Sequence, residues 1–233
     1  MTRMGVVSAI AAVLGAAAYA TYQAGLWRPN ALPRGAAWGV DVSRHQGDID
    51  WRSVRGAGAS FAFIKASEGQ DWRDPLFEEN WRGAREACVL RGAYHFFTFC
   101  SAGAQQARNF LAAVEETGEL PPAVDVEHTG NCSARPSAKT IRRELGVFLA
   151  EVEAATGRQP ILYFTERAYR ELLAGQFPRH ALWPRSILGE PRARGRRPWR
   201  FWQLADNARV PGIRGPVDLD VFRGSEAELE LAR

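Results

Sequence analysis

Two carboxylates stand one residue apart in the stretch "PPAVDVEH" (121–128), at the end of a short apolar run. Side chains alternate between the two faces of a β-strand, so Asp125 and Glu127 point to the same side, with Cα atoms roughly 6.5–7 Å apart. Neighbouring acids repel each other and resist burial, which keeps one of them protonated near neutral pH. The pair therefore suits a site that holds an acid and a base side by side.

Other polar residues fall at the ends of predicted strands, where they can join this pair. Cleavage of a glycosidic bond needs a carboxylic acid that protonates the leaving oxygen and a carboxylate that stabilises or attacks the anomeric carbon. Asp41 and Asp218 are further candidates for these acids. Trp202 would stack on a sugar face, and Gln203 would hold a hydroxyl or acetamido group. The candidates for substrate contacts are Tyr94, Tyr163, Lys65, Glu68, Trp202 and Gln203.

Several of these residues also have an ordinary structural explanation. An Asp-x-Glu pair can bind Ca²⁺ or Mg²⁺, and a lone aspartate such as Asp41 often caps a helix. Lys65 and Glu68 are spaced as a local ion pair, and Tyr94 lies beside phenylalanines that suggest a core position. The residues that we assign to packing are His95, Trp183 and Trp199.

Short apolar runs alternate with helix-like stretches along most of the chain. Strands are predicted at 38–43, 61–67, 91–97, 122–127, 160–164, 181–186, 198–205 and 217–222. Helices are predicted at 48–58, 74–89, 102–118, 137–157 and 165–175. This alternation is typical of a mainly parallel sheet covered by helices.

Eight strands, of which the first five are followed by helices, predict one α/β domain with a TIM-like (β/α) barrel of eight strands and about five helices. The last three strands would lack helices, and an open doubly wound sheet is the alternative. In a barrel the chemistry collects at the C-terminal ends of the strands. The polar candidates fall at these ends on seven of the predicted strands, which favours a single site there.

The N-terminal residues read as a segment that directs export. A basic start at Arg3 precedes the uncharged stretch 4–26, which is long enough to span a bilayer as a helix. Two interpretations remain open, a signal peptide cleaved at "AYA" (18–20) and an uncleaved signal anchor. Both export the rest of the chain. We divide the chain into this segment (1–27), a linker (28–37), the barrel (38–225) and a C-terminal tail (226–233).

The formal net charge is +4, and much of the basic excess lies in "PRARGRRPWR" (191–200). Such a patch favours anionic partners such as nucleic acid, lipid headgroups or a cell-wall polymer, although a solvated loop explains it equally well. No nucleic-acid-binding module is visible in the sequence. We therefore expect no nucleic-acid partner, and we expect a monomer.

Three cysteines, at positions 88, 100 and 132, leave one thiol unpaired if an exported chain oxidises the others. Cys100 and Cys132 each lie a few residues beyond a predicted strand end, so we pair these two. The sequence has no CxxC or HxxxH motif, and its four histidines are scattered. We expect no zinc site.

The order of several motifs resembles that of one enzyme family. The stretch "GVDVSRHQGDIDW" (39–51) is similar to the D-x-S-x-x-Q-G opening of glycoside hydrolase family 25, the Chalaropsis-type lysozymes with N-acetylmuramidase activity. Blocks similar to those of the family follow in the same order, namely "FAFIKASEG", "RGAYHFF", "PPAVDVE", "PILYF" and "FWQLADNARVPGIRGPVDLDVF". The resemblance covers about residues 38–223.

The resemblance implies a barrel of eight strands and five helices that cleaves the β-1,4 bond between N-acetylmuramic acid and N-acetylglucosamine. By motif, Glu127 looks like the general acid. Asp125 looks like its partner, which orients the acetamido group or stabilises the oxocarbenium-like transition state. Asp41 and Asp218 would complete the acidic pocket. The positions that would line the groove are Tyr94, Tyr163, Lys65, Glu68, Trp202 and Gln203. Neither a metal nor another cofactor is expected.

The chain also departs from the family pattern. Leu204 stands where an aromatic residue usually follows "WQ", Asp220 replaces the commoner asparagine of "VDLN", and "LWPRSILGEP" lacks the usual small residue and tyrosine after "LW". These changes affect the groove walls and therefore the glycan preference. They also leave a second hypothesis, a membrane-tethered module that binds peptidoglycan without cleaving it.

Both hypotheses make peptidoglycan glycan strands the expected partner. The expected location is outside the cytoplasm, either periplasmic or secreted. If the N-terminal segment is uncleaved, residues 4–26 would anchor the protein to the inner membrane.

Overall fold

The computed structural model describes residues 15–16, 20–21, 31–134, 136–191 and 197–231. The strands in these ranges are β1 (Trp38–Val42), β2 (Phe61–Glu68), β3 (Trp72–Arg73), β4 (Leu90–Phe96), β5 (Ala123–Val126), β6 (Ile161–Phe164), β7 (Leu182–Pro184), β8 (Phe201–Ala208) and β9 (Val217–Phe222). The two-residue strand β3 pairs only with the end of β2, and the other eight strands form a barrel wall.

The barrel wall follows the order of the chain. The six strands β1, β2, β4, β5, β6 and β7 pair in parallel. The hairpin of β8 and β9 completes the wall, and β9 runs antiparallel to both β8 and β1. Between β7 and β8 the pairing is sparse, with a parallel bridge from Arg185 to Gln203. The barrel is therefore nearly closed, and the alternative of an open doubly wound sheet is wrong.

The described residues form six helices, one more than predicted. They are α1 (Trp51–Gly56), α2 (Phe77–Glu86), α3 (Gly103–Ala113), α4 (Ala138–Thr156), α5 (Glu166–Ala168, continued by a π-helical turn over Tyr169–Leu173) and α6 (Glu226–Leu231). The additional helix α6 lies in the stretch that the sequence suggests is a tail. Its Leu229 is 1% exposed and packs among the side chains inside the barrel, so α6 covers the end of the barrel opposite the C-terminal strand ends.

Local signals explain where the helices begin and end. The Ser137 side chain accepts a hydrogen bond from the backbone N–H of Thr140 and so caps the first turn of α4. At the other end, Gly157 adopts φ 69°, the left-handed conformation that glycine allows without strain. Asp50 caps α1 in the same way as Ser137 caps α4. The predicted helices at 48–58 and 74–89 are shorter in the structure because their first residues form the approach to the cap.

Alternation along the strands divides the apolar side chains into two layers. On β2, Phe61 and Phe63 point into the barrel, whereas Ala62 and Ile64 point outward to the helices. Aromatic rings fill the barrel interior, and the Phe63 ring lies 4.3 Å from that of Trp183. This packed plug closes the barrel below its mouth and leaves room for polar side chains only above it.

Parts of two segments discussed above lie outside the described residues. These parts are most of the N-terminal stretch 4–26 and residues 192–196 of the arginine-rich stretch. Within the ranges that the structure does describe, no helix is both long enough and apolar enough to cross a membrane. Cleavage, anchoring and the division into four segments therefore remain predictions.

A buried ion pair on the outer side of β4 gives a test of the fold. Arg91 is 1% exposed, and its guanidinium donates to the Glu119 carboxylate at 2.8 and 3.1 Å. We expect Glu119→Gln to lower the free energy of unfolding by about 2–3 kcal/mol, because it leaves a buried cation unpaired beside a partly exposed neutral group. Chemical denaturation would measure this loss.

The exposed pair of Arg85 and Glu116 supplies a matched control for that substitution. Their side chains are 62% and 55% exposed, so Glu116→Gln should cost less than about 0.5 kcal/mol. Equal losses for Glu119→Gln and Glu116→Gln would contradict the importance of the buried pair.

Candidate active site

Polar side chains replace the apolar plug at the end of the barrel where the parallel strands finish. On β2 the inward-pointing series Phe61 and Phe63 continues with Lys65. The same alternation places Asp41 on β1 and Asp125 on β5 inside the mouth. Together they bound a cavity of about 250 Å³. Its lining residues are Asp41, Val42, Ser43, His45, Gln46, Lys65, Tyr94, Phe96, Asp125, Glu127, Tyr163, Trp183 and Asp218.

The carboxylates of "VDVE" lie where strand geometry predicts. Asp125 is 8% exposed, between two valines that face the helices, and Glu127 follows directly after the last residue of β5. Burial raises the pKa of Asp125 well above its usual value, and the nearby Glu127 raises it further. Burial also raises the pKa of Glu127, against the lowering effects of Arg185 and Lys65. This pair therefore tends to retain a proton.

Two further acids face each other across the pairing of β1 with β9. Asp41 stands opposite Asp218 in the register. Burial raises the pKa of Asp41 well above its usual range, and Asp220 on β9 raises it further. Burial and then Asp41 raise the pKa of Asp218. The cavity thus contains more carboxyl groups than can be ionised together.

The position of Asp218 corrects one part of the strand-end argument. Asp218 is the second residue of β9 and does not lie at its C-terminal end. It reaches the mouth because β9 runs antiparallel to β1, so that the start of β9 lies beside the end of β1. The sequence identified the residue, but the reason for its placement is the opposite of the one expected.

Lys65 brings a positive charge into this acidic cavity. Its ammonium lies 2.7 Å from Oε2 of Glu68. It also lies 5.1 Å from the centre of the Trp72 ring and 4.9 Å from that of the Phe96 ring. The ion pair considered from the sequence is therefore present, and it holds Lys65 where its charge lowers the pKa of Asp125. Glu68 itself lies behind Lys65 and does not line the cavity.

Two tyrosines face the cavity from β4 and β6. The Tyr163 hydroxyl donates a 2.5 Å hydrogen bond to Oε1 of Gln203, whose side chain is buried. Burial and the surrounding carboxylates raise the pKa of both Tyr94 and Tyr163 well above the usual value. Both phenols therefore remain neutral. Tyr94 can donate a hydrogen bond to a sugar oxygen, whereas the Tyr163 hydroxyl, whose proton goes to Gln203, can accept one from a sugar hydroxyl.

Trp202 does not lie in the cavity, which corrects the expectation that it stacks on a sugar. It is 3% exposed, its ring packs against Trp199 at 5.7 Å, and its indole N–H donates to the backbone oxygen of Ser186. Trp202 and Gln203 are adjacent in β8, so only one of them can face the barrel interior. The structure places Gln203 there and Trp202 on the outer face of β8, against Trp199.

Two residues of "LWPR" have positions that the sequence analysis did not assign to the site. Trp183 lines the cavity, and its indole N–H donates to Oδ1 of Asp220 at 2.7 Å. Arg185 binds the Asp206 carboxylate and lowers the pKa of Glu127 and of Asp218. Both follow from the same rule as the others, since "LWPR" ends at the C-terminal end of β7.

A side-chain hub fixes the loop that follows Glu127. The Asn131 amide donates to the backbone oxygens of Glu127 and Phe97, at 3.0 and 2.9 Å. Its carbonyl accepts from the backbone N–H of Phe99 at 2.7 Å. The predicted disulfide between Cys100 and Cys132 is present beside it, and Cys88 is a free thiol. The loops after β4 and β5 are thereby joined next to Glu127.

The arrangement can hold and transfer a proton at a closely spaced pair of carboxyl groups. The Asp125 side chain lines the cavity, and its buried Oδ1 has no hydrogen-bond partner in the described part of the chain. A cation site is less well supported, because no group of three or more metal-binding side chains is arranged around a common point in the described ranges. The geometry favours acid–base chemistry.

Most of this chain is similar in sequence to known proteins. A sequence model described as "Glycosyl hydrolases family 25" matches residues 40–213. "Uncharacterized protein YegX" of Escherichia coli (strain K12) is 41% identical over 198 residues, which cover 82% of this chain and 71% of that protein. "Lysozyme M1" of Streptomyces globisporus is 34% identical over 203 residues, which cover 82% of this chain and 69% of that protein.

Similarity extends to the fold. The structure of a family 25 glycosyl hydrolase from Bacillus anthracis superimposes with a TM-score of 0.81 at 36% sequence identity. The aligned region covers 88% of this chain and 97% of that one. Sequence and fold comparisons thus include the same barrel and the same mouth.

Proposed function

Because the chain belongs to glycosyl hydrolase family 25, we propose that it is an exported lysozyme with Glu127 as general acid and Asp125 as its partner. The bond cleaved is the β-1,4 linkage between N-acetylmuramic acid and N-acetylglucosamine in peptidoglycan. The observation that carries this proposal is the Asp125–Glu127 pair at the barrel mouth, with Asp125 buried and Glu127 half-buried, where desolvation raises the pKa of both groups. Lysozymes and muramidases of this family are glycoside hydrolases, and so is this chain.

Glu127 is the better placed of the two for proton donation. It lies just beyond the end of β5, is less enclosed than Asp125, and can reach the bridging oxygen of a glycan that lies across the mouth. Its raised pKa keeps the proton available to a higher pH than in an ordinary glutamic acid. In the step itself the Glu127 proton passes to the leaving oxygen as the glycosidic bond breaks, and Glu127 becomes a carboxylate.

Asp125 acts on the sugar ring on the other side of the bond. Its carboxyl group lines the cavity and can accept the N–H of an acetamido group or stabilise the positive charge that develops at the anomeric carbon. The first role allows the acetamido oxygen to attack, and the second suits a carboxylate close to the anomeric carbon. Asp41 and Asp218 complete the acidic pocket.

Neutral and cationic side chains at the mouth supply contacts to the glycan. Tyr94 donates a hydrogen bond to a sugar oxygen, and Tyr163, whose proton is held by Gln203, accepts one from a sugar hydroxyl. Lys65, held by Glu68, sets the charge around the acids. Leu204 is 0% exposed, so its departure from the family pattern changes packing behind the mouth and does not form part of the groove surface. Glycan preference therefore depends on other groove residues.

A peptidoglycan substrate requires the barrel to act outside the cytoplasm. We place the enzyme in the periplasm or outside the cell, with residues 4–26 as a cleaved signal peptide or an inner-membrane anchor. An anchor would restrict hydrolysis to glycan strands close to the membrane.

The proposal is tested by incubating the purified full-length protein with peptidoglycan and analysing the soluble products by mass spectrometry. Fragments that end in reducing muramic acid are expected. Fragments that end in reducing glucosamine would contradict the choice of bond. Binding of glycan strands without new reducing ends would favour the non-catalytic binding module instead.

The charge of Lys65 gives a prediction about pH dependence. Lys65 lowers the pKa of both Asp125 and Glu127, so Lys65→Met should raise both pKa values. Glu127 then stays protonated to higher pH, and the carboxylate partner ionises only at higher pH. Both limbs of the plot of kcat/KM against pH should move to higher pH.

The control for this experiment is Glu68→Gln, which removes the partner and keeps the ammonium. Its two limbs should move less than those of Lys65→Met, because the ammonium charge remains in the protein. Limbs that do not move in Lys65→Met, or that move to lower pH, would contradict the proposed electrostatic role of Lys65.

A further inference from the structure

One carboxyl group below the cavity has no role in the proposed reaction. Asp220 is 0% exposed and lies two residues after Asp218 on β9, on the same inward face. Its Oδ1 accepts the indole N–H of Trp183 at 2.7 Å. Its other oxygen, Oδ2, is buried and receives no hydrogen bond from the residues that the structure describes. An ionised carboxylate placed in this way would be strongly unfavourable.

Asp41, like Asp125, also has an unpartnered carboxyl oxygen. Asp41 Oδ2 is buried without a donor in the described ranges. The Asp41 side chain is nevertheless within hydrogen-bonding contact of Asp220, and it also contacts Asp218. Two carboxylate oxygens cannot bond to each other unless one of them carries a proton. A single proton between them satisfies both oxygens and removes one of two adjacent negative charges.

We propose that Asp220 is a positioning residue that shares one proton with Asp41 and so fixes the Asp41 carboxyl in the acidic pocket. This inference rests on the proposed function for its effect on hydrolysis, but the shared proton itself does not. Trp183 orients Asp220 from β7, and Asp220 in turn orients Asp41 from below. The pair then carries one negative charge toward the cavity.

The surroundings of the pair explain why that second charge matters. The titratable groups that face the two carboxyls are Asp218 on β9, Asp125 and Glu127 on β5, Tyr94 on β4 and Tyr163 on β6. The nearby cations, Lys65 and Arg185, act on Asp125, Glu127 and Asp218. A fully ionised pair would raise the pKa of the neighbouring acids further and so oppose the single carboxylate that the reaction needs.

Asp220→Asn distinguishes the effect of the shared proton from the effect of the hydrogen bonds that Asp220 makes. The amide oxygen can accept from Trp183, and the amide N–H can donate to Asp41, so this variant keeps the geometry without a shared proton. At the pH optimum we expect kcat/KM within about threefold of the unmodified enzyme. Asp220→Ala removes both contacts, and we expect kcat/KM to fall about tenfold or more, chiefly through kcat.

Thermal unfolding as a function of pH tests the proton without reference to catalysis. Burial raises the pKa of Asp220 well above its usual value, so the folded state keeps a proton that the unfolded chain releases. That contribution to stability is present below about pH 4 and is lost as the pH rises through the folded-state pKa. Asp220→Asn has no such loss, so its Tm relative to the unmodified protein should increase as the pH rises from about 4 to 8.

Asp71→Asn is the matched control, because it makes the same chemical change at an exposed position outside the cavity. Its Tm should follow that of the unmodified protein across the same range. If Asp220→Asn also runs parallel to the unmodified protein, Asp220 is ionised when folded and the proposal is wrong. If Asp220→Asn gains Tm with pH but the unmodified protein cleaves no glycan, the shared proton stands and the proposed function fails.

Infrared spectroscopy tests the shared proton when a variant unfolds too readily for its Tm to be compared across this pH range. In Glu127→Gln protein at neutral pH, the infrared carbonyl band of a protonated carboxyl group should be present and should shift on exchange into deuterium oxide. Its intensity should fall when Asp220→Asn is added. An unchanged band would overturn the shared proton.

Discussion

Glu127→Gln should lower kcat for peptidoglycan hydrolysis by about 10²–10⁴-fold, the usual contribution of a general acid. Glutamine has nearly the same shape but no acidic proton to give to the leaving oxygen. The side chain lies at the open end of β5, so the barrel should be unaffected and KM should change little. Release of new reducing ends from purified peptidoglycan measures the loss.

Glu68→Gln provides the same chemical change at the end of β2, which β4 separates from β5. Glu68 contacts Lys65 but does not line the cavity, so its kcat should remain within about tenfold of the unmodified enzyme. Thermal unfolding of both variants shows whether either change disturbs the fold. Nearly normal hydrolysis by folded Glu127→Gln protein would mean that another group supplies the proton.

Asp125→Asn should lower kcat by about 10²–10³-fold, as expected for removal of an electrostatic group that acts in the transition state. Its Oδ1 is buried and unpartnered, and an amide in its place carries no negative charge against the developing oxocarbenium ion. An amide N–H at that position would also face the N–H of an acetamido group, so KM should rise. Steady-state kinetics on soluble glycan chains would separate the two effects.

A substrate with a good leaving group distinguishes the two carboxyl roles. Departure of an activated aryl group needs no proton, so Glu127→Gln should recover most of its lost rate on an aryl glycoside of the same sugar. Asp125→Asn should not recover, because the charge at the anomeric carbon still has to be stabilised. Recovery by Asp125→Asn alone would reverse the assignment of general acid and partner. Recovery by both variants would leave the two roles without support.

The local pattern of the strands predicts much of the barrel and its mouth. Valines on both sides of Asp125 indicate a buried strand with one polar inward position, and the structure confirms that Asp125 faces the barrel interior. The same alternation contains enough information to reject Trp202 as a groove residue once Gln203 is placed inward. Adjacent side chains of a strand point to opposite faces, so Trp202 and Gln203 cannot both contact the glycan.

Features that depend on the way the barrel closes could not be obtained from local sequence. Asp218 reaches the mouth through the antiparallel course of β9, and nothing in "VDLDVF" specifies the direction of that strand. The contact between Asp220 and Trp183 joins β9 to β7, which are not neighbours in the wall. The sixth helix has six residues, as α1 has, but no glycine marks its end in the way that Gly58 ends the predicted helix at 48–58.

The pairing of β1 with β9 also determines when activity can arise during synthesis. A ribosome makes β1 among the first parts of the barrel and β9 among the last, so Asp41 waits for nearly the whole chain before Asp218 and Asp220 reach it. Such long-range closure is slow compared with local helix formation. A partly made chain therefore lacks Asp218 and Asp220, and the proposed wall-cleaving site is assembled only after the last strand has left the ribosome.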